Sequence, residues 1–264
     1  MVDILSEKGI KKYLKNPEMF DISVMDTVTS TNALLKEYTF ASEGKIIIAD
    51  SQTMGRGRFA RKFYSPESCG IYMSILLKPT LPPENAVLIT AAAAAAVSIA
   101  CERLTNKNTQ IKWVNDVLIE GKKVCGILTE GGIDIKTGNF DWAVVGIGIN
   151  AYEPENGFDD EIKDRAGAVF ADRAPERRNR LAAEIINRFW DFYKNLGNKT
   201  FFETYKSRMS AIGHQIEVIR GENKKTACCL DLDSECRLLV EYQNGEREYL
   251  SSGEISIRRI ELTH

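Results

Sequence analysis

From Asp21 to Lys78 the apolar positions fall in short runs separated by polar or glycine-bearing breaks. Asp21–Met25, Lys45–Asp50 and Gly70–Lys78 read as strands. The last is a continuous apolar run that suits a strand covered on both faces, and Pro79, Pro82 and Pro83 end it. Residues 84–104 turn to helical composition: six consecutive alanines, Ala91 to Ala96, favour helix and allow close packing. Residues 3–15 predict a short amphipathic helix, and Ser30 or Thr31 can cap another reaching about Tyr38. Further strands are expected over 110–114, 116–120, 123–133 and 139–150, with turns at Gly121-Lys122 and Lys136-Thr137-Gly138-Asn139. This is the pattern of antiparallel hairpins in a mixed sheet.

Residues 151–175 are polar and irregular. Leu181, Ile185, Phe189, Phe192 and Leu196 then recur at helical spacing, with Arg178, Glu184, Arg188 and Asp191 expected on the opposite face. Near Gly213 the period changes. Ile216/Val218 and Ile255/Ile257 alternate with polar residues, and Asn244-Gly245 is a hairpin turn signal. A division follows into a larger domain, 1–212, and a small β-barrel, 213–264. About fifty residues bury too little surface to be secure alone, so the barrel is expected to dock on the larger domain.

Composition narrows the function classes. A net charge of −2 lacks the basic surplus of general nucleic-acid binders. The first twenty or so residues hold no signal-peptide core, and the apolar stretch Ala86–Cys101 reads as a buried helix shorter than a membrane span. A cytoplasmic protein is the expectation. The six cysteines contain no Cys-x-x-Cys pair and the histidines are only two, His214 and His264, so zinc-ligand spacing is absent and reduced thiols are expected.

The densest chemistry lies in Gly55-Arg56-Gly57-Arg58-Phe59-Ala60-Arg61-Lys62, at the end of the Lys45–Asp50 strand. Arginine forks bind phosphate or carboxylate bidentately, and glycines between them let the backbone approach a ligand. A solvated charged loop is the plainer alternative. Gly55-x-Gly57-x-x-Ala60 and Gly146-x-Gly148-x-x-Ala151 both fit a dinucleotide fingerprint formally. Neither opens a helix, as that fingerprint requires. No phosphate-loop motif occurs, and His214, in a barrel strand, argues for a structural histidine rather than a Ser-His-Asp triad. Lys112-Trp113-Val114-Asn115-Asp116 is followed by Lys123-Val124-Cys125-Gly126, and a hairpin would bring the two segments together. An ordinary hairpin with surface lysines would look the same. Ser30-Thr31-Asn32, at a strand-to-helix junction, can cap the helix or read the polar head of a small ligand.

Together, in this order and spacing, these elements resemble the biotin–protein ligase family. The matching residues are Ser30-Thr31-Asn32, Gln52-Thr53-x-Gly55-Arg56-Gly57-Arg58, Arg61-Lys62-Phe63-Tyr64-Ser65-Pro66 and Lys112-Trp113-x-Asn115-Asp116. They continue with Lys123-x-x-Gly126-Ile127-Leu128, Gly146-Ile147-Gly148-Ile149-Asn150 and Gly253-Glu254-Ile255-Ser256-Ile257-Arg258. Val114 stands where the family usually has proline, and Ala60 where it commonly has glycine. Neither change removes a functional group.

The resemblance implies an α+β fold: a mixed β-sheet flanked by helices, of the class II synthetase-like biotin/lipoate ligase kind, with a C-terminal SH3-like β-barrel. It implies ATP-dependent activation of biotin to biotinyl-AMP, then transfer to a lysine of a biotin carboxyl carrier protein. Ser30, Thr31, Asn32, Gln52, Gly55, Arg56, Gly57, Lys123 and Gly126 would bind biotin. Arg56, Arg58, Arg61, Phe63, Asn115, Lys123 and Asn150 would bind ATP and the adenylate. Lys123, Arg58 and Asp116 would be catalytic. Mg2+ is expected to accompany ATP, with no protein-held metal site. Only about twenty residues precede the first core strand, so the expectation is the enzyme-only form, binding neither nucleic acid nor membrane; a homodimer is possible. The alternatives are a lipoate–protein ligase, whose Arg-Arg-x-Ser-Gly-Gly-Gly run is missing here, and a non-catalytic regulator that binds biotinyl-AMP.

Overall fold

The computed structural model describes residues 3–251 and 254–257. Gly253 and Arg258 of the last motif, and His264, lie outside them. The chain runs α1 (Glu7–Lys11), β1 (Asp21–Val28), α2 (Thr31–Leu35), β2 (Lys45–Gln52), β3 (Gly70–Leu77), α3 (Ala86–Thr105), β4 (Thr109–Lys112) and β5 (Asp116–Ile119). It continues with β6 (Lys122–Ile133), β7 (Phe140–Asn150), α4 (Arg177–Lys194), α5 (Phe202–Ser207), β8 (Gln215–Arg220), β9 (Asn223–Leu232), β10 (Leu238–Tyr242), β11 (Arg247–Leu250) and β12 (Glu254–Ile257).

Among the described residues the strands form two sheets. One has seven strands in the order β1-β2-β3-β7-β6-β5-β4; β1 and β2 are parallel and the other neighbours antiparallel. The other, β11-β10-β9-β8-β12, is an antiparallel five-stranded sheet of the SH3-like kind. The fold is thus the expected mixed sheet flanked by helices.

The alternation of strand residues divides the large sheet into two unlike faces. Ile46, Ile48, Ile71, Met73, Ile75, Val145, Ile147 and Ile149 pack with α3 and α4 in the main core, which continues into the small sheet through Ile216, Val218 and Ile255. The other face carries a small cluster, Leu35, Ile47, Leu76 and Val144, under α2. Beyond that cluster it is built of glycines and polar residues. β3 is buried along its whole length because both faces are covered.

The alanines of α3 let it lie close against sheet and α4, and Asn106 ends the helix in the left-handed conformation (φ 56°), its N–H returning to Glu102 O. With its preceding turn, Pro83–Thr105 is long and apolar enough by length and composition to cross a membrane, contrary to the shorter span read from the sequence, yet 72% of its apolar window is buried within the fold. The helix expected over 3–15 is only Glu7–Lys11, capped by Ser6. Arg178 also departs from expectation. It is 3% exposed, donating to Asp3 O and Gly70 O and paired with Asp50 and the buried Asp3, so this one position of the face read as polar is turned into the fold.

Candidate active site

The glycine and polar half of the sheet floors a cavity of about 250 Å³. Two cross-strand rows build the floor. One runs Asp116–Gly126–Gly148–Tyr72, the next Leu128–Gly146–Ser74. A Cβ on Gly148 would lie 2.6 Å from the Phe63 ring, and one on Gly126 3.0 Å from Lys123 Nζ. A Cβ on Gly146 would fall well inside 3.0 Å of Asn32 Oδ1. Gly146-x-Gly148, formally a nucleotide fingerprint, is therefore a strand that lets side chains from other segments lie flat on the sheet.

Lys123 reaches this face because of a bulge. Val117 pairs with Cys125 but Leu118 with Lys123, so Val124 is the extra residue. In an unbroken strand Lys123, three positions before Gly126, would point to the other face. The bulge returns it, and Lys123 Nζ lies 2.6 Å from Asp116 Oδ1 and 5.9 Å from the Phe63 ring centre. Lys122 lines a separate depression with Lys107 and Glu120. The turn before the two lysines is Glu120-Gly121, both at positive φ, one residue earlier than expected. Lys123 is further fixed by its backbone, which pairs with Arg165 O and the Gly167 N–H.

At the polar end, Ser30 caps α2, accepting from the Ala33 N–H. Gln52 Oε1 accepts from the Thr31 N–H (2.9 Å) and its Nε2 donates to Ser65 Oγ (3.0 Å). Ser65 donates to Phe63 O, which secures the exit of the arginine loop. Asn32 is turned into the sheet: Nδ2 donates to Glu130 (2.8 Å) and Leu128 O, and Oδ1 accepts from Ser74 Oγ (2.6 Å). Lys36 pairs with Glu130. Burial alone would raise the Glu130 carboxyl, but the hydrogen bonds from Lys36 and Asn32 outweigh it and hold it below its ordinary range.

The arginine loop closes over the cavity as a tight reversal. Arg56 bridges Lys62, the Gly57 N–H donates to Arg61 O, and Phe59 and Ala60 sit at φ 55° and 57°. Arg58 Nη1 donates to Asn115 Oδ1 (3.2 Å), while Asn115 Nδ2 donates to Ile127 O. Asn150 Nδ2 donates to Gly167 O (3.0 Å) and Lys123 O, joining the ends of β6 and β7 to the 165–167 segment. The Trp113–Val114 peptide is cis. Trp113 Nε1 donates to Cys236 O, and Ile255 completes one wall, so the small sheet contributes to the cavity. Tyr72, whose phenol burial pushes far above its ordinary range, donates to Pro66 O.

Every residue selected from the sequence lines this cavity except Gly55, which packs beneath Phe63 O and Ser65 Oγ. His214 is exposed and elsewhere. Sequence reasoning missed Ser74, hidden in an apolar run, and Glu130 with Lys36, which no motif contained. The six cysteines are free.

A neutral polar pocket separated by a bare glycine floor from a group of cations suits an enzyme that joins an acid to a nucleotide. Residues 24–150 match the model of the Biotin/lipoate A/B protein ligase family, and residues 211–258 that of the Biotin protein ligase C terminal domain. The chain belongs to the biotin protein ligases of that family. It is 32% identical to the Bifunctional ligase/repressor BirA of Bacillus subtilis, over 94% of this chain and 78% of that one. To the Biotin--[acetyl-CoA-carboxylase] ligase of Mycobacterium tuberculosis it is 26% identical, over 89% of this chain and 88% of the relative. Among solved structures it is similar to the Aquifex aeolicus biotin protein ligase in complex with biotin and ATP, with a TM-score of 0.75 and 32% identity, covering 90% of this chain and 99% of that one.

Proposed function

We propose that this cavity is where the chain, as an ATP-dependent biotin–protein ligase, forms biotinyl-AMP and passes the biotinyl group to a carrier protein. The observation that carries the assignment is Lys123, held by a bulge over the glycine floor and paired with Asp116. Biotin's ureido head goes to Ser30, Thr31 and Gln52, and its valeryl chain runs along the floor, putting its carboxylate near Lys123. Gly57, Gly126 and the arginine-loop backbone leave room for it.

In the first step a biotin carboxylate oxygen attacks the α-phosphorus of ATP. A C–O–P link forms, the bond to the β-phosphate oxygen breaks, and pyrophosphate leaves. Two anions must meet, and Lys123, Arg56, Arg58 and Arg61 offset their repulsion while stabilising charge that grows at the α-phosphate. Asn115 and Asn150 line the adenylate, and Phe63 covers it.

In the second step the carrier lysine amine attacks the acyl carbon. A C–N bond forms, the C–O bond to AMP breaks, and Asp116 takes the amine proton. Among the described residues no three His, Cys, Asp or Glu cluster as a metal site, and Asp116 is the one carboxylate lining the cavity. That donor set fits Mg2+ arriving on the phosphates, with Asp116 its one protein ligand in reach; the ion would neutralise the departing pyrophosphate. The acceptor is the biotin carboxyl carrier protein of a biotin-dependent carboxylase, in the cytoplasm. Biotin-dependent ATP–pyrophosphate exchange, followed by labelling of a carrier domain, tests the reading. Exchange with lipoate and none with biotin would overturn it.

A further inference from the structure

We propose that Gly167 is a positioning residue for adenylation: having no side chain, it lets residues 165–167 grip the backbone of Lys123 and hold the ammonium over the glycine floor. The inference rests on the ligase reading. The pairing of β6 with β7 ends at Cys125 and Ile149, so the bulged start of β6, with Lys122 and Lys123, runs past β7 and has only its other edge on β5. Residues 165–167 take the vacant lane. They meet Lys123 as a parallel bridge at Ala166: the Lys123 N–H donates to Arg165 O (2.7 Å) and the Gly167 N–H to Lys123 O (2.9 Å). Asn150, the last residue of β7, donates through Nδ2 to Gly167 O (3.0 Å) and Lys123 O (3.4 Å), which ties the segment to the strand it continues.

This close approach leaves no room for a methyl group. A Cβ on Gly167 would lie 2.8 Å from Lys122 Cβ, where carbon atoms in ordinary contact stand about 3.5–4.0 Å apart. The exposed end of Lys122 could swing aside, but its Cβ is fixed by the strand backbone. Gly167 cannot draw back without losing its bonds to Lys123 and Asn150. An added methyl must therefore push the peptide carrying Lys122 and Lys123 by about 1 Å.

That push reaches the site through the bulge. Lys123 faces the floor only because Val124 is extra, and the displaced peptide is the one that enters this bulge. The ammonium, 2.6 Å from Asp116 Oδ1, moves with it. Gly167 itself lines the separate depression with Lys122 rather than the catalytic cavity, so it acts on the reaction only through Lys123. A misplacement of about 1 Å at a group that must meet the reacting atoms costs roughly 10²-fold in rate.

Single-turnover formation of biotinyl-AMP by the full chain, with biotin affinity from calorimetry, tests this. Gly167→Ala should slow adenylation roughly 10–100-fold and lower biotin affinity much less. Lys122→Gly removes the Cβ that the new methyl strikes; alone it should stay within a few-fold, and combined with Gly167→Ala it should restore the rate. Lys122→Ala keeps that Cβ and should restore nothing. On a Lys123→Ala background, Gly167→Ala should cost almost nothing further, because no ammonium remains to be misplaced. A glycine needed only for packing would cost the same on either background. An unchanged rate in folded Gly167→Ala, no rescue by Lys122→Gly, or a fully additive loss on Lys123→Ala overturns the proposal. If Gly167→Ala does not fold, the double variant with Lys122→Gly decides: it should fold and react at the rate of Lys122→Gly, and a tenfold slower rate or a failure to fold overturns the proposal. Failure of the unsubstituted chain to form biotinyl-AMP overturns instead the ligase reading beneath it.

Discussion

Lys123 Nζ lies 2.6 Å from Asp116 Oδ1, with the two side chains 34% and 20% exposed. The pair is dry enough to hold geometry and open enough to exchange Asp116 for a substrate carboxylate. Lys123→Ala should lower single-turnover formation of biotinyl-AMP by roughly 10²–10³, the scale of one lost transition-state contact. Biotin affinity should fall less, because most of the charge Lys123 offsets develops during reaction. Lys122→Ala should stay within a few-fold, since Lys122 lines a different depression. Equal effects from the two lysines would contradict the bulge at Val124.

The two floor glycines should respond differently to alanine. At Gly148 the added methyl meets the Phe63 ring, which belongs to a loop and can swing away. At Gly146 it meets Asn32, whose amide is held at both ends and cannot retreat. Gly146→Ala should cost about 1–3 kcal/mol, the usual range for overpacking, and weaken biotin binding. Gly148→Ala should cost less stability and act mainly on ATP affinity. Denaturant melts and calorimetry on both variants decide it; similar losses in both properties would argue against the rigid Asn32 network.

The arginine loop holds Arg56, Arg58, Arg61 and Lys62 within one tight reversal, with Phe59 63% exposed at its tip. Like charges so close favour opening until an anion neutralises them. Trypsin should cut between residues 54 and 63 readily in the free protein and slowly with biotin and ATP present. Identical cleavage rates would show that ligand charge does not close the loop.

Glu102 supplies a pH dependence. Burial alone would raise its carboxyl, but hydrogen bonds from Arg208 and Thr109 outweigh burial and hold it below its ordinary 4.5. A depressed carboxyl stabilises the fold above its unfolded value and loses that contribution as pH falls through its folded value. The unsubstituted protein should therefore melt above Glu102→Gln at neutral pH, with the gap closing as pH falls below about 4.5. A gap independent of pH would mean the Arg208 contact carries no charge-dependent stability.

Periodicity made the sheet legible. The strands from β2 to β7, the alanine helix and the Asn244-Gly245 turn lie within a few residues of their sequence positions, because composition and turn chemistry agree there. The segment 3–15 misled because an amphipathic pattern does not say how many turns will be packed; Ser6 caps only a short helix. Arg178 misled because its carboxylate partners lie far away in sequence, at Asp3 and Asp50. The site was legible wherever it rests on a motif. Ser74 was not, since one hydroxyl in a wholly buried strand looks like a tolerated core serine. Nor was Glu130, whose role exists only through the side chain it holds.

Ile255 closes a wall of a cavity whose other lining residues, among the described residues, lie between Ser30 and Ala166. That order has a consequence for synthesis. At about 5–20 residues per second, several seconds pass between translation of Ala166 and of Ile255. During that interval a nascent chain carries the lysine, the arginines and the glycine floor, but its pocket stands open to water on one side. A mixed anhydride made there would be exposed to hydrolysis and to stray amines. A wall translated well after the rest of the pocket ties the enclosure of a reactive intermediate to completion of the small sheet, so the order of residues along the chain sets when the chamber shuts.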